Sequence, residues 1–191
     1  MLGRIKWILA FAIVIGAAVY LVKKTDMIGL TVEGGKSINA TPEQIAHIRN
    51  IRQWEFLSID TEEYIDSMYA TILGTNSIVR IYRGRLSLGI DMERASTDWF
   101  SAVGDTAFVS LPDISLLDEN FLHEASATTF YEKGSWSGTD LAAFAERAKA
   151  RMKERCLTED NILQAKRQAE KRFKELFEAF GYKAVVVGFG D

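Results

Sequence analysis

The sequence contains a single cysteine, Cys156, with only two prolines and two histidines among its 191 residues. One cysteine excludes a disulfide framework and any zinc site built from several thiolates. A glycine-rich phosphate loop, a nucleophile elbow and a zinc-protease motif are all missing. Apolar residues make up 48% of the chain and charged residues 26%, which is ordinary globular usage and excludes wholesale disorder, collagen and coiled coils.

Acidic side chains are missing from residues 1–24, which hold four basic ones. Residues 7–22 are sixteen uncharged, mostly apolar positions, and residues 5–22 would span about 27 Å as a helix, close to the hydrocarbon thickness of a bilayer. We therefore predict a single transmembrane signal anchor over residues 1–24. A cleaved signal peptide is the alternative, with Gly16-Ala17-Ala18 as a weak cleavage candidate. Lys23 and Lys24 close the apolar run beyond it, which favours a retained anchor.

The charges that flank this segment are nearly balanced, so the positive-inside rule does not decide its orientation. A short basic N-terminus before an exported body is the commoner arrangement, and we expect the body to lie outside the cytoplasm. Residues 25–191 carry 19 basic and 26 acidic groups. Such an acidic body argues against nucleic-acid binding, which needs a basic surface.

Residues 25–40 contain three glycines and little periodicity, so we interpret them as a tether to a single domain over residues 41–191. The domain opens with Thr41-Pro42-Glu43-Gln44, a helix start in which Thr41 caps and Gln44 completes a capping box. This predicts a helix over residues 41–52.

Strand signals follow this helix. Residues 53–72 predict one long or broken strand, with a helix over residues 61–72 as the alternative, from partly alternating apolar positions at Trp54, Phe56, Tyr64, Met68, Ala70 and Ile72. Gly74-Thr75-Asn76 predicts a turn, residues 77–83 a strand that Gly84 interrupts, and residues 86–92 a half-buried strand. Residues 105–111 predict a further strand, and residues 114–127 an extended segment.

Helical spacing begins after Gly134. One helix is predicted from Thr139 or Asp140, with Cys156 on its buried face, and a second over residues 158–180, capped by Thr158 and ended by Gly181. Residues 182–189 then predict a strand that is apolar on both faces, hence central or covered. The fold class is α+β: one antiparallel sheet packed by two long C-terminal helices, preceded by the transmembrane helix.

Candidate chemistry is sparse. His47 is expected on the solvated side of the first helix, and Cys156 in the core. Asp118, Glu119, His123 and Glu124 fit no metal-binding spacing, so a solvated polar segment is the favoured interpretation. We predict no catalytic residues, no metal and no cofactor. A group of aromatic residues in expected loops either covers one end of the sheet, which we favour, or forms a binding surface: Trp99, Phe100, Phe130, Tyr131 and Trp136.

The order of several stretches resembles bacterial domain-of-unknown-function family 4230. These stretches are Thr41-Pro42-Glu43-Gln44, Tyr82-Arg83-Gly84 to Gly89-Ile90-Asp91-Met92, Gly104-Asp105-Thr106 to Val109-Ser110-Leu111-Pro112, and Asn161-Ile162-Leu163 to Gly181-Tyr182. The resemblance implies an N-terminal membrane segment and no established activity. It also marks Gly84, Gly89 and Asp91 as candidate binding positions. For Asp91 we favour the structural alternative, in which its side chain accepts backbone hydrogen bonds at a strand end.

Together these features predict a single-pass membrane-anchored module at the cell envelope that binds or assembles without catalysis, through a protein partner or a homo-oligomer. Two alternatives remain. One is an envelope hydrolase that uses Asp91, Asp118 or His123. The other is a cytoplasm-facing membrane scaffold similar in layout to stomatin-like proteins.

Overall fold

A computed structural model describes residues 40–72, 74–123, 125 and 127–190. The expected anchor and nearly all of the expected tether lie outside these residues. The elements are α1 (Pro42–Asn50), β1 (Gln53–Thr71), β2 (Gly74–Asp91), a 3₁₀ helix (Met92–Arg94), β3 (Phe100–Val103), β4 (Thr106–Leu111), β5 (Ser115–Leu116), β6 (Thr128–Lys133), α2 (Gly138–Cys156), α3 (Glu159–Ala179) and β7 (Ala184–Phe189). Across that described part, every helix is too short or too polar to cross a bilayer.

The start of α1 confirms the predicted capping box. The Gln44 N–H donates to Thr41 Oγ1 at 3.3 Å, and the Thr41 N–H donates to Gln44 Oε1 at 2.8 Å. Two otherwise unpaired backbone donors are satisfied in this way, and Pro42 occupies a position that needs no N–H. The helix ends at Asn50, two residues before the predicted end.

A long antiparallel hairpin of β1 and β2 is the main element of the fold. Its register runs without a gap in β2 from Asp91, opposite Gln53, to Gly74, opposite Thr71. The long strand is confirmed, and the alternative helix over residues 61–72 is wrong. The turn precedes Gly74, so the prediction of a turn at residues 74–76 is also wrong. Gly84 does not interrupt β2, because a missing side chain leaves the backbone ladder intact.

The strands form two sheets, so the prediction of a single sheet is wrong. In the larger sheet β2 pairs with β1 and also with β5 and β6, always antiparallel. In the smaller sheet β4 pairs antiparallel with β3 and parallel with β7. The two helices before β7 form the long crossover that a parallel pair requires.

The strand β7 lies at the edge of the smaller sheet, not at its centre. Its residues alternate between exposed and half-buried, with Val186 exposed while Val185 and Val187 pack on the core. The prediction that this strand is central or covered, made from its continuous run of valines, is therefore wrong. The segment expected to be extended over residues 114–127 pairs only through β5 and through a bridge between Leu122 and Gly84 among its described residues.

The helix α2 is capped by Ser137, whose hydroxyl accepts from the Asp140 N–H at 3.1 Å while the Asp140 carboxylate accepts from the Ser137 N–H at 2.8 Å. Asp140 is thus the third residue of the helix, at the N3 position of a capping box, and the cap is Ser137, not Thr139 or Asp140 as predicted. Thr158 caps α3 as predicted. Gly181 follows α3 with a φ of +98°, a conformation that favours glycine and ends the helix.

Two hydrophobic cores lie along the hairpin. The basal core joins the Asp91 end of β2 with α3 and the smaller sheet, and is centred on Leu88, Ile90, Phe173 and Phe177. The distal core joins the other half of the hairpin with α2, and contains Ile65, Tyr82, Met152 and Cys156. Each long helix therefore serves its own half of the hairpin, and Cys156 is buried as predicted.

Candidate functional site

The side of the larger sheet turned away from α2 exposes large apolar side chains. Ile65, Ile78 and Tyr82 pack against α2, so the residues that alternate with them point the other way. The register places five such residues on that side, which we call the outer face: Tyr64, Met68, Val79, Ile81 and Tyr131. Three of them are strongly exposed, with 58% exposure for Tyr64, 72% for Met68 and 48% for Tyr131.

A β-bulge between Glu55 and Leu57 explains why β1 contributes to this face. Trp54 packs on the basal core before the bulge and Phe56, the unpaired residue, packs on it within the bulge, whereas Leu57 and Ile59 do so after it. The inward positions therefore change from even to odd residue numbers, because one extra residue reverses the direction of every later side chain. Tyr64 and Met68 have even residue numbers, as Trp54 has, but they follow the bulge and therefore lie on the opposite side of the sheet.

Two ion pairs flank the outer face toward the base of the hairpin. Asp60 receives hydrogen bonds from Arg85 Nε at 2.7 Å and from Arg85 Nη2 at 3.1 Å, and Arg83 Nε donates to Glu62 at 2.5 Å. The hydrogen bond from Arg85 holds the pKa of Asp60 below its ordinary value, and the same bond raises the pKa of Arg85. Both pairs are exposed, so they contribute little to stability.

Two further charges, Asp66 and Lys133, lie among the apolar side chains of the outer face. Asp66 lies opposite Val79, and Lys133 lies opposite Ser77, which faces Met68 on the other side. Across the described residues, neither side chain forms an ion pair. The outer face thus carries one acidic and one basic group that are both free to pair with a partner.

Arginines from α2 cover part of the free edge of β1. Arg147, Arg151 and Arg155 are spaced four residues apart on the helix. They donate to the carbonyl oxygens of Asp66 at 2.9 Å, Tyr64 at 3.5 Å and Glu62 at 2.5 Å, respectively. Alternate carbonyls of an edge strand point away from the sheet and can pair with another strand. The side chains of α2 occupy three of them in succession.

An open depression of about 630 Å³ lies over the flanking ion pairs, and its lining includes Gly84, Arg85 and His123. Gly84 is packed closely: a Cβ there would lie 3.0 Å from the carbonyl oxygen of Phe121. His123 is exposed, and its backbone N–H donates to Arg83 O at 3.1 Å. Gly84 therefore lets the segment before His123 approach β2.

The other two candidate binding positions lie far from Gly84. A Cβ at Gly89 would lie 2.0 Å from the carbonyl oxygen of Trp54, so this glycine permits close contact of the two strands beside the bulge. Asp91 accepts from the Glu93 N–H at 3.0 Å and caps the 3₁₀ helix. Gly84 and Asp91 are separated by seven residues of one strand, about 23 Å, so they do not share a site.

The aromatic group named from the sequence is divided among three places. Trp99 and Phe100 belong to the basal core, and Phe100 is a strand residue. Trp136 packs edge-on against Tyr69, with ring centroids 5.0 Å apart. Phe130 and Tyr131 lie in β6 and are exposed. Only the last pair lies at the outer face or beside it.

The polar segment around His123 also separates into individual contacts. Asp118 accepts from the Asn120 N–H at 2.7 Å, and Glu119 forms an ion pair with Lys153 of α2. Glu124 lies outside the described residues. Where side chains are described, no three His, Cys, Asp or Glu residues lie close enough together to hold a metal ion. His47 is exposed on α1 as predicted.

The fold and this face define an α+β domain whose distinguishing surface is a partly apolar sheet face. The chain belongs to the family described as "Protein of unknown function (DUF4230)", whose model matches residues 46–187. This confirms the resemblance stated from the sequence motifs. No curated protein and no solved structure matches the chain significantly.

Proposed function

We propose that this protein is a membrane-attached module that binds a protein through its outer face and performs no catalysis. The supporting observation is the exposure of Tyr64, Met68 and Tyr131 on one side of the larger sheet. An antiparallel sheet that packs helices on one face usually presents polar residues on the other. The three side chains expose on the order of 400 Å², a patch size that in monomeric proteins often marks a binding site.

Site-specific photo-cross-linking in native membranes tests this role. A photoreactive residue replaces Met68 in the full-length chain, and a matched variant carries it at Lys171, an exposed position on α3. We expect a discrete protein adduct from position 68 and none from position 171. Equal labelling from both positions, or none from either, would contradict a binding role for the outer face.

Attachment to the membrane is the second part of the proposal. It is supported by the uncharged apolar run at residues 7–22 and the basic residues on both of its sides. We propose that the body lies outside the cytoplasm. A membrane-impermeant thiol reagent applied to a Lys171→Cys, Cys156→Ala variant tests this. Labelling before the inner membrane is opened supports the proposal, whereas labelling only afterwards favours a cytoplasmic scaffold.

A hydrolase is the competing class, and the geometry gives it little support. Because the His123 N–H donates to Arg83 O, His123 lies beside the middle of β2. Asp91 ends that strand eight residues further on, about 26 Å away. Catalytic partners must come within hydrogen-bond reach in a substrate complex, which this separation prevents for Asp91 and His123.

A further inference from the structure

We propose that the partner of the outer face is the outer face of a second copy of this chain, in a two-fold dimer of stacked sheets. This inference rests on the proposed function, in which the outer face binds protein. It specifies the chemistry of the partner: an apolar sheet face that carries one acid and one base. Four observations support it, and they concern charge, position, area and the neighbouring edge.

The first observation is the pair of free charges, Asp66 and Lys133. They lie two strands and two residues apart, with Cα atoms about 12 Å from each other, and they do not pair with each other within one copy. A two-fold contact is self-complementary, so Asp66 of one copy meets Lys133 of the other, and this contact occurs twice. A wholly apolar partner would instead bury the Asp66 carboxylate without a counter-ion, which is unfavourable.

The second observation is where the apolar residues lie relative to these charges. Asp66, Val79 and Tyr131 form one row across the three strands, and Met68, Ser77 and Lys133 form the next row. Asp66 and Lys133 lie on one diagonal of these two rows, and Met68 and Tyr131 lie on the other. A two-fold axis that lies between the stacked sheets and crosses the midpoint of the line from Asp66 to Lys133 therefore passes over the apolar residues. Burial of the centre and pairing of the charges are satisfied by one arrangement.

The third observation is area. Phe130 is 77% exposed and neighbours Tyr131 in β6. With it, the large side chains in and beside the outer face expose on the order of 550 Å². A standard interface buries about 800 Å² per partner, and the polar residues of the same face can supply the remainder.

The fourth observation concerns the edge of the same sheet. Arg147, Arg151 and Arg155 occupy the outward carbonyls of Glu62, Tyr64 and Asp66, so that an added strand along this part of the β1 edge would have to displace them. Extension of the sheet from one copy to the next is therefore disfavoured along this part of β1. Stacking of outer faces uses the side chains that are exposed and leaves the arginine contacts intact.

Charge exchange provides the test, on the full-length protein in detergent by analytical ultracentrifugation. We expect a dimer whose dissociation constant rises at least tenfold in Asp66→Lys and in Lys133→Asp, because each places like charges opposite each other. The double variant restores the contact with its signs reversed, so its affinity returns toward that of the wild type. Phe108→Asp, on the exposed side of the smaller sheet, is the matched control and leaves the dimer unchanged.

The result is read together with the cross-link from position 68. A product of dimer mass with rescue by the double variant supports the inference. A monomer that cross-links only to another protein overturns the second copy as partner and leaves the binding role intact. A monomer that forms no adduct overturns both. A dimer that is insensitive to the single charge reversals also overturns the inference, and melting curves of each variant identify any that fail to fold.

Discussion

Arg155 of α2 donates to the backbone carbonyl oxygen of Glu62 in β1 at 2.5 Å. The same guanidinium donates to the carboxylate of the next residue, Glu63, at 2.8 Å, and Arg151 approaches that carboxylate at 3.4 Å. Glu63 is only 8% exposed, and it is the buried acid on the side of β1 that faces α2. One helix thus satisfies both a buried charge and the edge of the strand that carries it.

Replacing Arg155 with alanine should destabilise the domain by about 2–3 kcal/mol, because Glu63 then keeps its buried charge with only the longer contact to Arg151. Urea denaturation measures the free energy of unfolding. The control is the double variant with Glu63→Met. Once the carboxylate is removed, Arg155→Ala should cost clearly less, and an unchanged cost would show that Glu63 is not the reason.

Removing the other two arginines should open the edge of β1. In an Arg147→Ala, Arg151→Ala variant the carbonyl oxygens of Asp66 and Tyr64 lose their side-chain donors. We expect assemblies larger than the proposed dimer to form through added strands, since an unprotected edge is a template for pairing. Light scattering during incubation detects them. Lys171→Ala, on the exposed face of α3, is the control, and growth beyond the dimer in both variants alike would contradict the role of the edge.

Gly89→Ala should unfold the base of the hairpin, because the added methyl group would lie 2.0 Å from the carbonyl oxygen of Trp54. We expect a loss of more than about 4 kcal/mol, the range of severe backbone clashes. Gly84→Ala meets Phe121 O at 3.0 Å and should cost less. Gly138→Ala has open space around it and serves as the control. Thermal melting of the three variants should rank them in this order.

The start of α2 should lose stability in acid. Hydrogen bonds from the Ser137 hydroxyl and N–H lower the pKa of Asp140. In the unfolded chain the pKa of an aspartate is about 3.9. At a pH between that value and the lower folded pKa, only the unfolded state carries the proton on this residue. Stability is therefore complete above the unfolded pKa and falls as the pH drops through the folded pKa. Asp140→Asn should flatten urea stability against pH in this window.

Replacing Ser137 by alanine is the companion test. The variant should lose about 1 kcal/mol at neutral pH, as is usual for loss of a helix cap. It should also show a smaller dependence on pH in the acid window, because the donors that lower the pKa of Asp140 are reduced. A slope identical to that of the wild type would assign the acid dependence to other groups, among them Asp60, whose pKa is lowered by Arg85.

Local signals predicted the helices well. The capping residues Thr41 and Thr158 and the glycine after α3 are recognisable from a few neighbouring positions, and the structure has each where it was expected. The long strand β1 was also predicted. Such signals depend on contacts within one or two turns of chain, which a single sequence contains in full.

Long-range features were not predictable in the same way. The bulge at Glu55 and Leu57 carries no sequence mark, yet it decides that Tyr64 and Met68 face outward. The second sheet depends on β7 pairing with β4 across more than seventy residues. The spacing of Arg147, Arg151 and Arg155 was a usable signal for a contact along one helix face, but only the structure identifies the strand edge that it meets.

The two cores along the hairpin have a consequence for motion. Among the residues that the structure describes, two partly buried ones belong to both cores, Ile59 and Leu116. Opening of the distal half, with α2 released, therefore exposes little of the basal core. We expect the amide hydrogens of α2 and of the half of the hairpin that packs on it to exchange with solvent through partial unfolding. The free energy of this opening should be lower than that for the amide hydrogens around Phe173. The domain behaves as two cooperative units that share one pair of strands.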